Sequence, residues 1–263
     1  MTSTRIQEEM KRDVFGAVER VALERPDGTT LAVVRRVLDG PRVVRWVART
    51  LAKREQRAIA ALRESSTPAV ASGVDLSPDE RDALRALQTA RGERPHAGDV
   101  YVRAFVAGRP LHLAETLPRD FFDLLEAAVR DLHAAGVCHN DLHKEQNVVV
   151  TPSGRPALID LQLASVHPAR SGRRFASRCR DDLRHVQKLR RRYTKDGRGP
   201  AELAVPEHER MRRRGLALVW RRTGKPLYRF VTRRMLRTRD GEARRPSAGP
   251  WPRWTDPVGP SGE

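Results

Sequence analysis

The chain has 263 residues, enough for one large domain or two modest ones with a substantial core. Hydrophobic residues make up 39% and charged residues 32%, a composition that is too apolar for wholesale disorder. The net charge of +18 comes wholly from residues 170–239, where 24 Lys+Arg stand against 6 Asp+Glu, so this region favours an anionic partner: nucleic acid, anionic lipid or an acidic protein.

The first hundred residues predict a β-rich start followed by helices. Two β-prone runs, at residues 14–18 and 30–34, lie on either side of the turn signal Pro26-Asp27-Gly28 and predict strands and a hairpin. Apolar residues recur at helical intervals over residues 41–62, which indicates an amphipathic helix. Residues 65–98 resemble an insertion with a helix over 78–91 that Ser77 would cap.

The next elements alternate between strands and core helices. Residues 100–106 predict a strand, and residues 118–135 predict an apolar helix that Gly136 stops. Two short apolar runs, at 148–150 and 157–159, predict a second hairpin. Helices are predicted over 180–193 and 207–222, whereas residues 239–263 are rich in Gly, Pro and Ser and predict a disordered tail.

Polar side chains crowd the loop between the helix over 118–135 and the second hairpin. Asp141 and Asn147 lie in this loop, and Asp160 ends the second strand of the hairpin. The hairpin would return Asp160 to the side of the loop, so we expect these three residues to converge. Phosphoryl transfer requires a carboxylate that accepts a proton from the attacking hydroxyl and hard oxygen ligands for magnesium, and these three residues could supply both.

The run His-Asn-Asp-Leu at 139–142, with Leu-Ile-Asp-Leu-Gln at 158–162, resembles the catalytic segments of protein-kinase-like enzymes. Within that group, the two segments look like those of bacterial RIO-like and lipopolysaccharide-kinase-like proteins. It implies an α+β, two-lobed fold over 1–238, with a small β-rich lobe to about 106, a helical lobe over 107–238 and the tail at 239–263. It also implies an ATP- and Mg²⁺-dependent kinase that phosphorylates a serine or threonine of a protein or an envelope sugar.

The resemblance assigns a role to each candidate residue. Asp141 would be the catalytic base, and Asn147 with Asp160 would hold Mg²⁺. Gly16 would belong to a reduced phosphate-covering loop. Three further residues would serve the nucleotide: Glu55 on the first helix, Arg35 in place of the usual strand lysine, and Lys144 near the γ-phosphate.

The chain departs from the kinase pattern in three ways. Arg35 or Arg36 stands where a phosphate-gripping lysine is usual, and a guanidinium has a different reach and geometry. Asn147 follows Asp141 by six residues instead of five, which leaves Gln146 at the ordinary spacing. No Ala-Pro-Glu follows residue 160, so a full peptide-binding lobe is not expected. A pseudokinase that only binds nucleotide or an anionic surface is therefore the alternative function.

Several candidates also have plain structural interpretations. His139 could be a buried histidine that braces the loop, Gly16 an ordinary turn glycine, and Glu55 a solvated helix charge. In the basic region, Trp220, Tyr228 and Phe230 alternate with arginines. These aromatic rings could stack on RNA bases or lie at a lipid interface, or they could simply pack into the core.

The sequence contains no run of 18 apolar residues and begins with charged residues, so we expect a cytoplasmic protein, with attachment to the inner membrane surface as one use of the basic region. Its two cysteines, Cys138 and Cys179, are far apart in sequence. Such a pair predicts neither a disulfide framework nor metal-ligand spacing, and we expect two reduced structural thiols.

Overall fold

A computed structural model of the chain describes residues 3–13, 16–37, 41–63, 70, 72–91, 100–209, 211 and 251–258. The described part is an α+β structure that begins with a four-stranded antiparallel sheet and continues as helices with short two- and three-stranded sheets. No helix in these ranges is both long enough and apolar enough to cross a bilayer.

The N-terminal sheet has the strand order β1-β2-β3-β4. Its strands and the two helices of this region are β1 (Ser3–Asp13), β2 (Gly16–Arg25), β3 (Gly28–Arg36), α1 (Arg42–Arg63), α2 (Pro78–Ala90) and β4 (Val100–Ala104). Strands β2 and β3 form the predicted hairpin, with Arg25 opposite Gly28 around a two-residue turn. The prediction that Ser77 caps α2 is confirmed, since its hydroxyl accepts from the backbone N–H of Glu80 and its own N–H donates to the Glu80 carboxylate.

The second half is built around α3. Its elements are β5 (Arg109–Pro110), β6 (Thr116–Pro118), α3 (Phe121–Ala134), β7 (Val137–Cys138), β8 (Val148–Val150), β9 (Pro156–Leu158), β10 (Ser165–Val166), α4 (Arg173–Thr194) and β11 (Arg253–Thr255). The predicted hairpin is confirmed as β8 and β9, with Val149 opposite Ala157. Helix α3 packs against α4, β7 and β9, as its apolar face requires.

Buried side chains form two clusters. The larger one combines the apolar face of α3 with β8, β9 and the buried sides of α1 and α4, and includes Phe121, Phe122 and Tyr193. The smaller one lies between the N-terminal sheet and α2, and includes Val21, Leu23 and Leu84. Helix α1 also packs against the short turn Leu161–Leu163, which follows Asp160, and thereby connects the two halves near the predicted site.

The structure differs from the sequence prediction in the tail. Residues 253–255 form β11, which pairs in parallel with β6, and the indole Nε1–H of Trp254 donates to the carbonyl of Arg198 at 2.8 Å. Trp251 and Trp254 pack against the core around α3, and the backbone of β6 and the carbonyl of Arg198 supply hydrogen-bond partners. These contacts order the segment although Gly and Pro surround it. The expectation of disorder over 239–263 is therefore wrong for residues 251–258, and the rest of that tail lies outside the described residues.

The two cysteines are free thiols, as expected, but they lie close together although they are far apart in sequence. Helix α4 packs against β7, and this contact brings the Sγ atoms of Cys138 and Cys179 to 3.7 Å. Cys138 is fully buried, and burial raises the pKa of its thiol well above the ordinary value.

Candidate active site

The loop from His139 to Lys144 joins β7 to the short turn Glu145–Asn147, and that turn leads into β8. Asn140 has a left-handed backbone, with φ of 64°, which asparagine tolerates better than most residues. Its side-chain amide donates to the carbonyls of Cys138 and Leu163, and its Oδ1 accepts from Arg178. These bonds fix the backbone direction just before Asp141.

Helix α4 supports this loop through Asp182, which sequence analysis missed. Its carboxylate accepts the backbone N–H of His139 at 2.8 Å and that of Asn140 at 2.9 Å. The residue is only 1% exposed. A signal was present in the sequence, because Asp182 lies on the same helix stripe as the buried Val186, Leu189 and Tyr193, where a carboxylate needs buried partners.

His139 braces the loop, as one interpretation of the sequence expected. The ring is fully buried, with Nε2 at 3.1 Å from the carbonyl of Ile159 and Nδ1 accepting the backbone N–H of Asp141 at 3.3 Å. A carbonyl partner requires a proton on Nε2, and an N–H partner requires a lone pair on Nδ1, so this geometry matches the neutral imidazole. His139 thus connects the loop to the end of β9.

Asp141 lies at the centre of a polar cluster. Its Oδ2 is 2.9 Å from Nζ of Lys144 and accepts from Nδ2 of Asn147 at 3.1 Å, while Oδ1 is 2.9 Å from Nδ1 of His143. Burial by itself would raise the pKa of Asp141, but the His143 hydrogen bond and the Lys144 charge outweigh it and hold the pKa below the ordinary value. The group is therefore a carboxylate at neutral pH, as a proton acceptor must be.

Asn147 and Asp160 come together through the hairpin. The carbonyl of Asn147 accepts the backbone N–H of Ile159 at 3.0 Å, which places Asp160 one residue beyond that pairing. Asp160 adopts a left-handed backbone with φ of 65°, a costly conformation for a residue other than glycine. Its Oδ1 is buried and has no hydrogen-bond partner among the described residues.

An unpartnered buried carboxylate oxygen is unusual in a folded protein and is a good ligand for a hard cation. Asn147 also carries a side-chain carbonyl, and its amide NH₂ group donates to the backbone carbonyl and the carboxylate of Asp141. The donor set of Asn147 and Asp160 consists of oxygen atoms, so these residues fit Mg²⁺. Gln146, at the alternative spacing, is more exposed than Asn147.

Glu55 is a buried residue and not the solvated helix charge of the plain interpretation. Its side chain is 5% exposed and lies between two guanidiniums, with Nε of Arg103 at 3.3 Å and Nε of Arg35 at 3.6 Å. Burial raises the pKa of Glu55, and the charges of Arg103 and Arg35 offset part of that effect. Arg103, on the neighbouring strand β4, is a second partner that sequence analysis missed.

The structure also separates the two candidate arginines of β3. Arg36 makes a buried pair with Glu19 on β2, with 2.6 Å between Nη2 and Oε1, and Arg91 pairs with the same carboxylate. Arg35 instead reaches Glu55 on α1. Because side chains alternate across a strand, only Arg35 faces the helix that carries Glu55.

Gly16 begins β2 at the end of the first hairpin, where Asp13 is its partner. Its φ is +150°, and a Cβ atom there would lie 2.1 Å from the carbonyl oxygen of Arg36. The glycine is therefore required by the close approach of β3, whatever else this turn does. The expected phosphate-covering loop was residues 14–18. Of these, Ala17 and Val18 continue β2, and Val14 and Phe15 lie outside the described residues.

The turn that carries Asn147 is anchored to α4. Glu145 is 8% exposed; its Oε2 accepts from the hydroxyl of Tyr193 at 2.8 Å, and Arg192 pairs with its other oxygen. Together with Asp182, this contact means that one helix supports both ends of the polar loop. Sequence analysis did not identify Glu145 as part of the site.

The described portion of the basic region consists mainly of α4. Its sequence contains nine Lys or Arg residues and two Asp residues. A depression beside this helix is lined mainly by basic residues, with Gln187 and Met211 completing the lining: Arg184, Lys188, Arg191, Arg192 and Lys195. The predicted helix over 207–222 is described only at residues 207–209 and 211, and the aromatic residues with their neighbouring arginines lie outside the described part.

No protein-family model matches the chain, and a comparison with curated proteins finds no significant match.

Proposed function

We propose that this chain is an ATP-dependent phosphotransferase with a two-lobed, protein-kinase-like fold. The two-lobe arrangement is supported by the two separate hydrophobic clusters, one under the N-terminal sheet and one around α3. The active site would lie where α1, the polar loop and the end of β9 meet. A cytoplasmic location remains part of this proposal.

One observation carries the proposal: Asp160 points a buried, unpartnered carboxylate oxygen from the end of the hairpin that also holds Asn147 against Asp141. A buried acceptor without a partner costs free energy, so its retention is most simply explained by a ligand. Magnesium carrying the phosphates of ATP is the ligand that an Asp and Asn pair beside a general base would take.

Each residue then has a physical task. Asp141, kept ionised by His143 and Lys144, would orient the acceptor hydroxyl and take its proton. Asn147 and Asp160 would hold Mg²⁺, which supplies positive charge to the transferring phosphoryl group. Lys144 is 28% exposed on its side chain and could move from Asp141 to the γ-phosphate.

Arg35 would contact the phosphates from β3 while Glu55 holds its guanidinium. This substitution for lysine need not abolish nucleotide binding, because a guanidinium binds phosphate through two parallel hydrogen bonds. Arg103 would keep Glu55 neutralised when Arg35 turns toward a phosphate, since it pairs with the other carboxylate oxygen.

The test is Mg²⁺-dependent turnover of ATP by the purified full chain. Asp160→Ala should abolish it, and Asp82→Ala, which changes a largely exposed residue of α2, should leave it unchanged. Labelled ATP supplied with a fractionated cell extract would sort the acceptor into protein, envelope sugar or RNA. Turnover that survives Asp160→Ala would overturn the proposal.

The second candidate is a pseudokinase that binds nucleotide without transferring phosphate. It is favoured by the engagement of Asp141 with both His143 and Lys144, which occupies the oxygens that an acceptor hydroxyl would need. Saturable binding of MgATP without transfer to any fraction of the extract would support this function instead.

The basic region would supply a cationic docking surface for an anionic partner, either RNA or the inner membrane face. Its described part, α4, supports this by its excess of basic over acidic residues and by the basic lining of the depression beside it. Attachment through that charge should weaken steeply with added salt, because neutralised phosphates release counterions. Binding to anionic vesicles and to RNA, measured across a salt series, distinguishes the two partners.

A further inference from the structure

Behind the polar loop, three side chains that bind soft metals come together from three different elements. His133 lies on α3, Cys138 ends β7, and Cys179 lies on α4. One nitrogen of the histidine and the two sulfurs all lie within 4.8 Å of one another. None of these residues takes part in the proposed phosphoryl transfer.

We propose that His133, Cys138 and Cys179 form a binding site for a thiophilic divalent cation, with zinc as the natural choice. Two Zn–S bonds of about 2.3 Å at the tetrahedral angle place the sulfurs about 3.8 Å apart. The Sγ atoms are 3.7 Å apart, so the thiols already have the spacing of a zinc dithiolate. A disulfide would require them to approach to about 2.05 Å.

A carboxylate pairs with one ring nitrogen of His133, so the cation would bind the other nitrogen, Nδ1. Oδ2 of Asp182 lies 3.2 Å from Nε2 of His133. Ligating histidines commonly pair with a carboxylate in this way, which fixes the ring orientation and increases the basicity of the ligand. Asp182 would therefore connect the cation to the loop, because the same carboxylate holds the backbone N–H groups of His139 and Asn140.

Burial favours a metal over a redox pair. Cys138 is fully buried, and a buried thiol stays protonated and reacts slowly with oxidants. A bound cation deprotonates such thiols outright, and each bound ion would release the two thiol protons to solvent. Cys179 and His133 are only partly buried, which leaves a path for the ion to enter.

The fourth position of a tetrahedral site would be open to water, since three residues supply the ligands and both oxygens of Asp182 already have partners. Such an ion would tie α3, β7 and α4 together directly behind His139. We expect its role to be structural: to hold the loop in place, without contact with the nucleotide.

Cobalt is the most direct probe, because sulfur-to-cobalt charge transfer can arise only from the two cysteines of this chain. The untagged full chain, stripped of metal and kept reduced, is titrated with Co²⁺ and then with Zn²⁺. We expect one ion per chain, a charge-transfer band with the visible absorption of tetrahedral cobalt, and loss of both when Zn²⁺ displaces it. Zn²⁺ should also raise the melting temperature.

Variants assign the ligands. Cys179→Ser should weaken cobalt binding by more than about 100-fold, since loss of a residue that merely hydrogen bonds a ligand already costs roughly 10–100-fold. His133→Gln should weaken it similarly, whereas His208→Gln, on a side chain that is 81% exposed, should change nothing. Circular dichroism checks that each variant folds.

Two results would overturn the proposal. One is the absence of a charge-transfer band in the parent chain at saturating Co²⁺, a readout that needs no variant. The other is a band and affinity that survive Cys179→Ser. Formation of a Cys138–Cys179 disulfide under mild oxidation, in a chain that binds no metal, would assign the pair to redox chemistry instead.

Discussion

The carboxylate of Asp182 accepts the backbone N–H of His139 at 2.8 Å, so a residue of α4 fixes the position from which the polar loop begins. The other carboxylate oxygen accepts the N–H of Asn140 at 2.9 Å. Asp141, the proposed base, follows directly. The position of the proposed base therefore depends on Asp182, a residue of α4 that lies 41 residues further along the chain.

Asp182→Asn should lower the free energy of unfolding by about 1–3 kcal/mol, because the amide retains one acceptor and turns its NH₂ group toward a backbone donor. Urea denaturation measures the change. Asp181→Asn is the matched control on the same helix; its side chain is 42% exposed, and its loss should cost no more than about 0.5 kcal/mol. Equal losses for the two variants would contradict the anchoring role of Asp182.

Asp141→Asn and Asp160→Asn should separate chemistry from nucleotide binding. The first removes the base and should slow transfer by about 10²- to 10⁴-fold while MgATP affinity stays nearly the same. The second removes an anionic ligand and should weaken magnesium-dependent nucleotide binding. Titration calorimetry with MgATP and single-turnover transfer measure the two effects. A matching loss of affinity in Asp141→Asn would argue against this division of roles.

Local sequence patterns predicted much of the fold. Helices α1, α2 and α3 and the β8–β9 hairpin are confirmed, because each buries one regular apolar face or follows a strong turn signal. Strand β1 was missed: its sequence, Ser-Thr-Arg-Ile-Gln-Glu-Glu-Met-Lys-Arg-Asp, is mostly polar, and pairing with β2 creates the strand. Strand β11 was missed for the same reason, since β6 supplies its partner.

The candidate site was predictable where its residues share one segment. Asp141 and Asn147 are in contact as expected, because they lie only six residues apart in one loop and Asn147 directly precedes the β8–β9 hairpin. Asp182 and Arg103 were missed because their contacts depend on how α4 and β4 pack, and local periodicity does not encode that packing. The two cysteines are free as expected, but their proximity was missed for the same reason, since distance along the chain did not predict distance in the fold.

Arg35 and Arg103 share Glu55 and should respond differently to truncation. Arg35→Ala should weaken nucleotide binding and cost no more than about 1 kcal/mol of stability, because Arg103 still neutralises Glu55 and the Arg35 side chain is 26% exposed. Arg103→Ala, at 14% exposure, should cost about 3 kcal/mol. Thermal and urea unfolding measure the stability of each variant, and titration with MgATP measures its nucleotide affinity. The reverse ranking of stability would show that Arg35 is the structural partner.

The depressed pKa of Asp141 predicts how its contribution to stability varies with pH. A carboxyl whose pKa falls on folding stabilises the native state above its unfolded pKa, ordinarily 3.8, and this stability is lost as pH falls through the folded value. The difference in unfolding free energy between the parent and Asp141→Asn should therefore stay level near neutral pH and shrink in acid. A difference that grows as pH falls would contradict the sign of the shift.

Trp254 provides the sharpest test of the unexpected C-terminal strand. Its indole donates to the carbonyl of Arg198, and its ring lies so close to Gly199 that an added Cβ would come within 2.8 Å. Trp254→Ala removes this packing and the hydrogen bond, and should cost about 2–4 kcal/mol, somewhat less than a fully buried tryptophan.

Trp46→Ala is the matched control for that change, because Trp46 is 68% exposed on α1 and its truncation should fall within about 0.5 kcal/mol of the parent. Urea denaturation of both variants, followed by far-ultraviolet circular dichroism, measures the difference. If Trp254→Ala were as stable as Trp46→Ala, the pairing of β11 with β6 would contribute nothing to the fold. A large loss for Trp254→Ala alone would establish that residues 251–258 complete the core around α3.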